Sequence, residues 1–440
     1  MNKQSTTVIR SYLVLTGLYT LSASLIWGVN TLFLLDAGLS ISEVFFVNAI
    51  FTGAMALFEI PTGVLADTRG RRLSFLLSLV ILFIGTLGYL GAYQNGGSIW
   101  LFALASVVLG LGYTFYSGAM EAWLVDALNA SGFEGELDDV FARSAMISAV
   151  AMLIGTVSGG VIAGYSLALP YLVRAGLIVI VFVFAFATMK EIGFAPRAVP
   201  LRQLPAEMNS IAKSSITYGW RQPAVRLLVI AGFIQAIFSA WGFYAWQPYF
   251  LELLGQDATW VAGVVAALVA LATMAGNYFV QRRSHKVGRR TSMLLAAAIV
   301  GSLAAIGVGL VSSFWIAVAL YLLTALAMGV AVPVKQAYMH QLIPSEQRAT
   351  VISFDSLVAS GGMVAGQIGL GRLAETRSIA AGYVVGGAIT ALSWPVILRL
   401  RHRHDPEDII VGDAGKESAC GAQGIPCVGG IDSQAGGANN

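Results

Sequence analysis

Residues 59 to 72 read Glu59-Ile60-Pro61-Thr62-Gly63-Val64-Leu65-Ala66-Asp67-Thr68-Arg69-Gly70-Arg71-Arg72. An apolar run ends in the first part of this stretch, a cluster of one acid, three arginines and a glycine follows, and another apolar run begins beyond it. The runs on either side, 44 to 66 and 73 to 93, each match the roughly 20 residues a helix needs to cross a hydrocarbon layer about 30 Å thick. So short a polar hinge between two such runs predicts a helical hairpin in a membrane, with Gly70 turning the chain and the arginines anchored among headgroups. Gly63 leaves room for a neighbouring helix, and Asp67 stands where a carboxylate caps or pairs at the membrane surface.

Ten further apolar runs of similar length complete a set of twelve: 11 to 35, 99 to 126, 144 to 166, 170 to 189, 224 to 250, 259 to 281, 291 to 312, 314 to 337, 350 to 373 and 378 to 398. Composition agrees. Of 440 residues 57% are hydrophobic and only 11% charged, against about 25% charged in a soluble domain. That excludes a soluble enzyme, and a net charge of +3 is too small to point to nucleic acid. The Gly-rich stretch from Gly85 to Gly97 lacks a P-loop's Gly-Lys-Ser/Thr, and no catalytic triad is recognisable, so no enzymatic activity and no cofactor are expected. Cys420 and Cys427 lie in a polar tail without a nearby His and are read as free thiols. The first run contains Tyr12, Tyr19, Trp27 and Asn30 and no small-residue cleavage site, so it is read as a retained span rather than a signal peptide.

Basic residues set the orientation. With the N-terminus inside, all of the 26 Lys and Arg except Arg174, Arg372 and Arg377 fall on the inner side, which by the positive-inside rule places both termini in the cytoplasm. The longest internal polar connection, about Lys190 to Pro223, divides the spans six and six. This gives an N-terminal bundle at 1–190, a cytoplasmic linker at 191–223, a C-terminal bundle at 224–398 and a disordered tail at 399–440. Gly70-Arg71-Arg72 recurs 218 positions on as Gly288-Arg289-Arg290, the mark of an internal repeat.

The opening stretch resembles the loop motif between the second and third helices of the major facilitator superfamily, with Gly63, Asp67, Gly70, Arg71 and Arg72 in place. His340-Gln341-Leu342-Ile343-Pro344-Ser345-Glu346-Gln347-Arg348-Ala349-Thr350 and Trp246-Gln247-Pro248-Tyr249-Phe250 are also similar to segments of that superfamily. The resemblance covers about residues 8 to 400 and implies an all-α membrane protein of twelve transmembrane helices in two six-helix bundles. In span 5, Gly155-Thr156-Val157-Ser158-Gly159-Gly160 resembles the core of the motif of its proton-coupled exporters, with Thr156 where those have Pro. Span 4 keeps Gly110 and Gly112 but has Ser106 in place of the exporters' Arg. Gly155, Gly159 and Gly160 form a small-residue face on which two helices can pack closely.

Acids at membrane depth are costly, about 2.5 to 3.5 kcal/mol on insertion scales, and are therefore functional candidates. Glu121 is the strongest, about 7.5 Å deeper than Asp126 on one helix; Glu59 and Asp355 follow. Each is open to a structural reading: Glu121 as a partner of Arg143, Glu59 as a helix-helix or gating contact, and Asp355 as an early-turn acid favoured by the helix dipole. Resemblance to the family implies that Gly63, Asp67, Arg69, Gly70, Arg71 and Arg72 form a conformational latch with Asp126 and Arg143 at the inner surface.

Aromatics mixed with hydrogen-bonding groups on spans 1, 4, 7 and 10, which line the cavity in the family, suggest a substrate pocket. The candidates are Tyr19, Trp27, Asn30, Tyr116, Ser117, Gln235, Ser239, Trp241, Tyr244 and Gln336. Such a lining suits an amphipathic or aromatic molecule better than a sugar. The reading is a monomeric secondary transporter of the bacterial cytoplasmic membrane, exporting a drug-like compound, such as a tetracycline, at the expense of the proton gradient. A metabolite or sugar importer on the same fold is the alternative, and a membrane sensor or scaffold is less favoured.

Overall fold

The computed structural model describes residues 3–194, 219–255 and 259–410. Eleven helices among them are long and apolar enough to cross a membrane, and the remaining expected span, the first, is built from two shorter helices. Span 1 comprises Lys3–Ser24 and Asn30–Asp36, span 2 is Ile41–Arg69, span 3 Arg71–Gln94, and span 4 comprises Ile99–Tyr116 and Ala119–Ala130. Spans 5 and 6 are Leu137–Ala163 and Leu169–Thr188. Spans 7 to 11 are Pro223–Leu254, Thr259–Val287, Arg290–Leu310, Phe314–Leu342 and Ser345–Thr376, and span 12 comprises Ile379–Ala391 and Ser393–Arg401.

Local chemistry explains several boundaries. Ser40 and Glu43 form a reciprocal capping box at the start of span 2, satisfying two of the amide donors that a helix start leaves free. Span 4 is not the continuous helix that its apolar run suggests. It breaks after Tyr116, and Gly118 enters the second helix at φ 72°, a left-handed conformation that costs glycine nothing. Span 1 breaks over residues 25 to 29, so that it too departs from the single helix expected.

The repeat extends to the way each half closes. The Glu191 carboxylate, just past span 6, accepts the backbone N–H groups of Arg71 (3.2 Å) and Arg72 (2.9 Å) at the start of span 3. Just past span 12, Asp408 accepts the backbone N–H and the hydroxyl of Thr291, both at 2.7 Å, at the start of span 9. Both are carboxylates on a helix N-terminus, where the orphan donors and the helix dipole favour negative charge. The Arg290 guanidinium completes the second arrangement by donating to the carbonyls of Glu407 (2.6 Å) and Ile409 (2.8 Å). Disorder from Arg399 is therefore corrected: helix continues to Arg401, and Pro406–Asp408 forms a turn bound to span 9. Residues 411–440, with Cys420 and Cys427, and most of the expected linker lie outside the described residues.

The buried apolar residues form clusters whose membership reveals how the halves meet. One, around Leu15, Phe75, Leu79 and Leu124, belongs to the first half. Another, around Val225, Met293, Tyr338 and Phe354, belongs to the second half at the end bearing the Gly70 and Gly288 loops, here called the basic end. A third lies at the opposite end and is shared, joining Leu32 and Phe45 of the first half to Trp241, Phe250 and Tyr383 of the second.

Polar contacts follow the same division. At the end away from the arginines, the Glu375 carboxylate accepts the Ser42 N–H at 2.7 Å, and Gln367 donates to Thr52 at 3.3 Å nearer the middle. Backbones nearly touch where span 5 meets span 1: a Cβ built on Gly159 would lie 2.0 Å from the Leu25 carbonyl oxygen. Large apolar side chains such as Leu104, Val183, Phe186 and Leu310 face outward and are exposed, as a lipid-facing surface requires.

Candidate functional site

Span 1 opens where it breaks, and the second half reads the opening. The Gln247 amide, fully buried, accepts the Thr31 N–H at 3.0 Å and donates to the Trp27 carbonyl at 2.9 Å. The Thr31 hydroxyl donates to the carbonyl of Tyr244 at 3.0 Å. One side chain thus satisfies both backbone groups that the missing helical turn would have paired, which is why an irregular step is tolerable at membrane depth. Gln247 lies in the quoted Trp246–Phe250 segment, but nothing in the sequence assigned it this task.

At the basic end the first half opens into a cavity of about 300 Å³ lined by Tyr12, Thr16, Tyr116, Glu121, Phe141 and Ser144 among others. Glu121 reaches it because the break at Gly118 starts a new helix whose first turn carries the carboxylate. It is exposed there rather than buried, a correction to its reading as a buried acid. Glu59 is likewise exposed, on span 2, which runs through Pro61 without interruption.

The loop residues are assembled within the first half. The Arg71 guanidinium pairs with Asp67 and lies 3.7 Å from Asp126, while Arg72 donates to the Phe186 carbonyl at 2.9 Å and stacks 5.1 Å over its ring. Asp126 thus meets Arg71 rather than Arg143; Arg69, Arg143 and Gly63 are exposed. Among the small residues of span 5, Gly155 and Gly159 pack on span 1 at Ser24 and Leu25, and Gly160 lies against Gly263 of span 8.

Asp355 is corrected too. It sits well inside span 11, and both of its oxygens accept from Lys335 of span 10 at 2.8 Å, with about a fifth of each side chain exposed. The pair lies against bare backbone at Gly232 of span 7. Helix-dipole stabilisation at a first turn has no part in it.

Of the expected cavity residues, Tyr19 and Tyr116 come together as stacked rings, 3.7 Å apart and 11° from parallel. Asn30 accepts from Tyr171 at 2.8 Å and donates to Asn48 at 3.2 Å. Trp27 and Tyr244 each give a backbone carbonyl to the bridge at the break in span 1, Trp27 accepting from Gln247 and Tyr244 from Thr31. Others do not join them: Gln235 donates to Ser393 of span 12, Ser239 donates within its own helix, and Trp241 packs among Phe45, Phe238 and Tyr383. Ser117 and Gln336 are exposed.

The largest departure concerns Arg174. Expected on the outer side, it is instead 2% exposed inside span 6, with its guanidinium 5.8 Å over the Tyr113 ring and Nη2 3.4 Å from the Tyr113 hydroxyl.

Similarity to known proteins agrees with this architecture. The chain is 22% identical over 398 residues to the uncharacterized MFS-type transporter YxaM of Bacillus subtilis (strain 168), covering 88% of this chain and 93% of that one. Among solved structures it resembles the nucleoside transporter NupG, with a TM-score of 0.71 at 11% identity, covering 91% of this chain and 99% of that one. It also resembles a bacterial homolog of the human lysosomal transporter Spinster, with a TM-score of 0.67 at 14% identity, covering 93% and 99%. The profile of the Major Facilitator Superfamily matches residues 12–301 and 259–423. With its helical halves, its membrane-length spans and that match across nearly its whole length, this chain is a multi-pass membrane transporter that belongs to the Major Facilitator Superfamily.

Proposed function

We propose that the protein is a proton-coupled exporter of amphipathic organic molecules, and that the form described here is open towards the cytoplasm. The observation that carries this reading is the placement of Glu121. Its carboxylate lines the cavity at the basic end together with Tyr12, Thr16 and Ser144, while the halves are joined by hydrogen bonds towards the other end. With the basic end in the cytoplasm, as the positive-inside rule places it, a proton on Glu121 is free to leave to the cytoplasm and substrate can enter from the same side.

Rocking of the halves would close that cavity around the side chain. Removing a carboxylate from water favours its protonated form, and reopening favours proton loss. The change of solvation that accompanies rocking therefore couples a proton to each cycle, without any bound cofactor. Aromatic walls with scattered hydroxyls suit a substrate that is partly apolar.

The reading is tested in everted membrane vesicles energised to an acid interior, with a panel of fluorescent amphipathic compounds. At least one compound should accumulate inside the vesicles, the accumulation should collapse with a protonophore, and Glu121→Gln should abolish it. Accumulation untouched by the protonophore would remove the proton from the mechanism. Gradient-driven movement in the opposite direction would replace export with import.

A further inference from the structure

Around Arg174 the first half is short of hydrogen-bond acceptors. The side chain is buried in span 6, yet its Nε and Nη1 have no partner among the described residues, and its Nη2 meets Tyr113 only at 3.4 Å. The Tyr171 hydroxyl donates to Asn30, Asn30 donates to Asn48, and the Asn48 Nδ2 at the end of this relay has no acceptor among the described residues. The Tyr19 hydroxyl has no partner among those residues either. Buried donors left without acceptors are uncommon and each asks for an explanation, and an uncompensated guanidinium at membrane depth is the costliest of them.

The cluster adjoins the cavity at the basic end through Tyr116. Tyr116 lines the cavity that opens at the basic end and stacks on Tyr19. Tyr19 in turn meets the Tyr113 ring edge-on at 6.4 Å, and Arg174 lies over that ring. A ladder of rings thus leads from the cavity to the guanidinium.

We propose that Arg174 is the binding group for a carboxylate on an aromatic or otherwise apolar substrate, with the spare hydroxyl donor of Tyr19, which packs on the same Tyr113 ring, as a second contact. A monoanion fits better than a phosphate dianion, because Arg174 is the one cation among the described groups of this cluster and its neighbours are rings. The stacked pair Tyr19 and Tyr116 stands between this site and the cavity, so the substrate's ring would slide against or between them while its carboxylate reaches the arginine. This deepens the transport reading above and rests on it for the route of entry. It does not depend on proton coupling.

The test uses the full-length protein in detergent, with no gradient present, and three matched acid and amide pairs: benzoate and benzamide, 1-naphthoate and 1-naphthamide, octanoate and octanamide. At least one acid should raise the melting temperature saturably while its amide does not. Arg174→Gln should weaken that acid about tenfold to a hundredfold, the range for losing a hydrogen bond to a charged group, and Arg174→Lys should recover part of it. Because Arg174→Gln removes an unpaired buried charge, the variant without ligand should melt at or above the parent temperature. If it does not fold, Tyr19→Phe, which keeps the ring and removes one spare donor, should weaken the same acid several-fold. The proposal is overturned if no acid outperforms its amide, or if the acid binds folded variants as tightly as the parent. Loss of gradient-driven flux with acid binding intact would count against proton coupling alone.

Discussion

The amide of Gln247 and the backbone of Thr31 meet at 3.0 Å across the two halves of the molecule, and the same amide reaches back to the Trp27 carbonyl. The second half therefore supplies the hydrogen bonds that a broken helix in the first half lacks. Gln247→Leu keeps the volume roughly and strands both backbone groups in a buried place, at about 1 to 3 kcal/mol for each. The population should shift towards separation of this end. Spin labels at Asn95 and Arg377, one on each half, should show a longer distance component in the variant. An unchanged distribution would mean that the contact does not govern closure.

Close backbone approach gives a second prediction. A methyl group on Gly159 would collide with the Leu25 carbonyl, whereas one on Gly176 would meet nothing within 4 Å. Gly159→Ala should lower stability by about 1 to 3 kcal/mol, the usual range for overpacking, and Gly176→Ala should leave it unchanged or slightly raised. Thermal denaturation of the two variants side by side decides it, and equal behaviour would contradict the packing.

The pair formed by Lys335 and Asp355 invites a double-mutant cycle. Each side chain keeps about 20% of its surface exposed, so solvent screens part of the charge and the loss on breaking the pair should fall below the 3 to 5 kcal/mol of a fully buried one, at about 1 to 3 kcal/mol. Lys335→Met and Asp355→Leu should each destabilise, and the double variant should be more stable than either single one. Additive losses would show that the two residues act separately.

Glu191 and Asp408 do the same work on the two halves but differ in exposure: Glu191 is exposed and Asp408 is 2% exposed. Replacing a helix cap by alanine costs about 0.5 to 2 kcal/mol. Asp408→Ala should lie at the upper end, since it leaves the Thr291 donors buried, and Glu191→Ala at the lower end, since water can replace it. Chemical denaturation of both variants measures the difference, and a larger loss for Glu191→Ala would reverse the argument.

Much of the fold was legible because lipid leaves few choices. The apolar runs follow from keeping backbone polar groups paired inside hydrocarbon, and the recurrence of Gly-Arg-Arg marks the same turn in each half. The breaks were hidden for the same reason: residues 25 to 29 and 117 to 118 are as apolar or small as their neighbours, and what permits the first of them is Gln247, more than 200 positions away. Arg174 was misplaced because proximity to a loop looks the same in sequence whether a side chain turns out to water or in among tyrosines. Only the packing of spans 1, 4 and 6 separates the two. The Asp355 partnership was missed on similar grounds, since Lys335 was counted among the surface cations that set orientation. The small face of Gly155 and Gly159, by contrast, was visible from spacing alone.

That each half is finished by a carboxylate from its own chain, Glu191 for span 3 and Asp408 for span 9, makes the two halves separable pieces of manufacture. A cut anywhere from 195 to 218 leaves both caps on the correct fragment, so two polypeptides made independently in one membrane could each complete themselves before they meet.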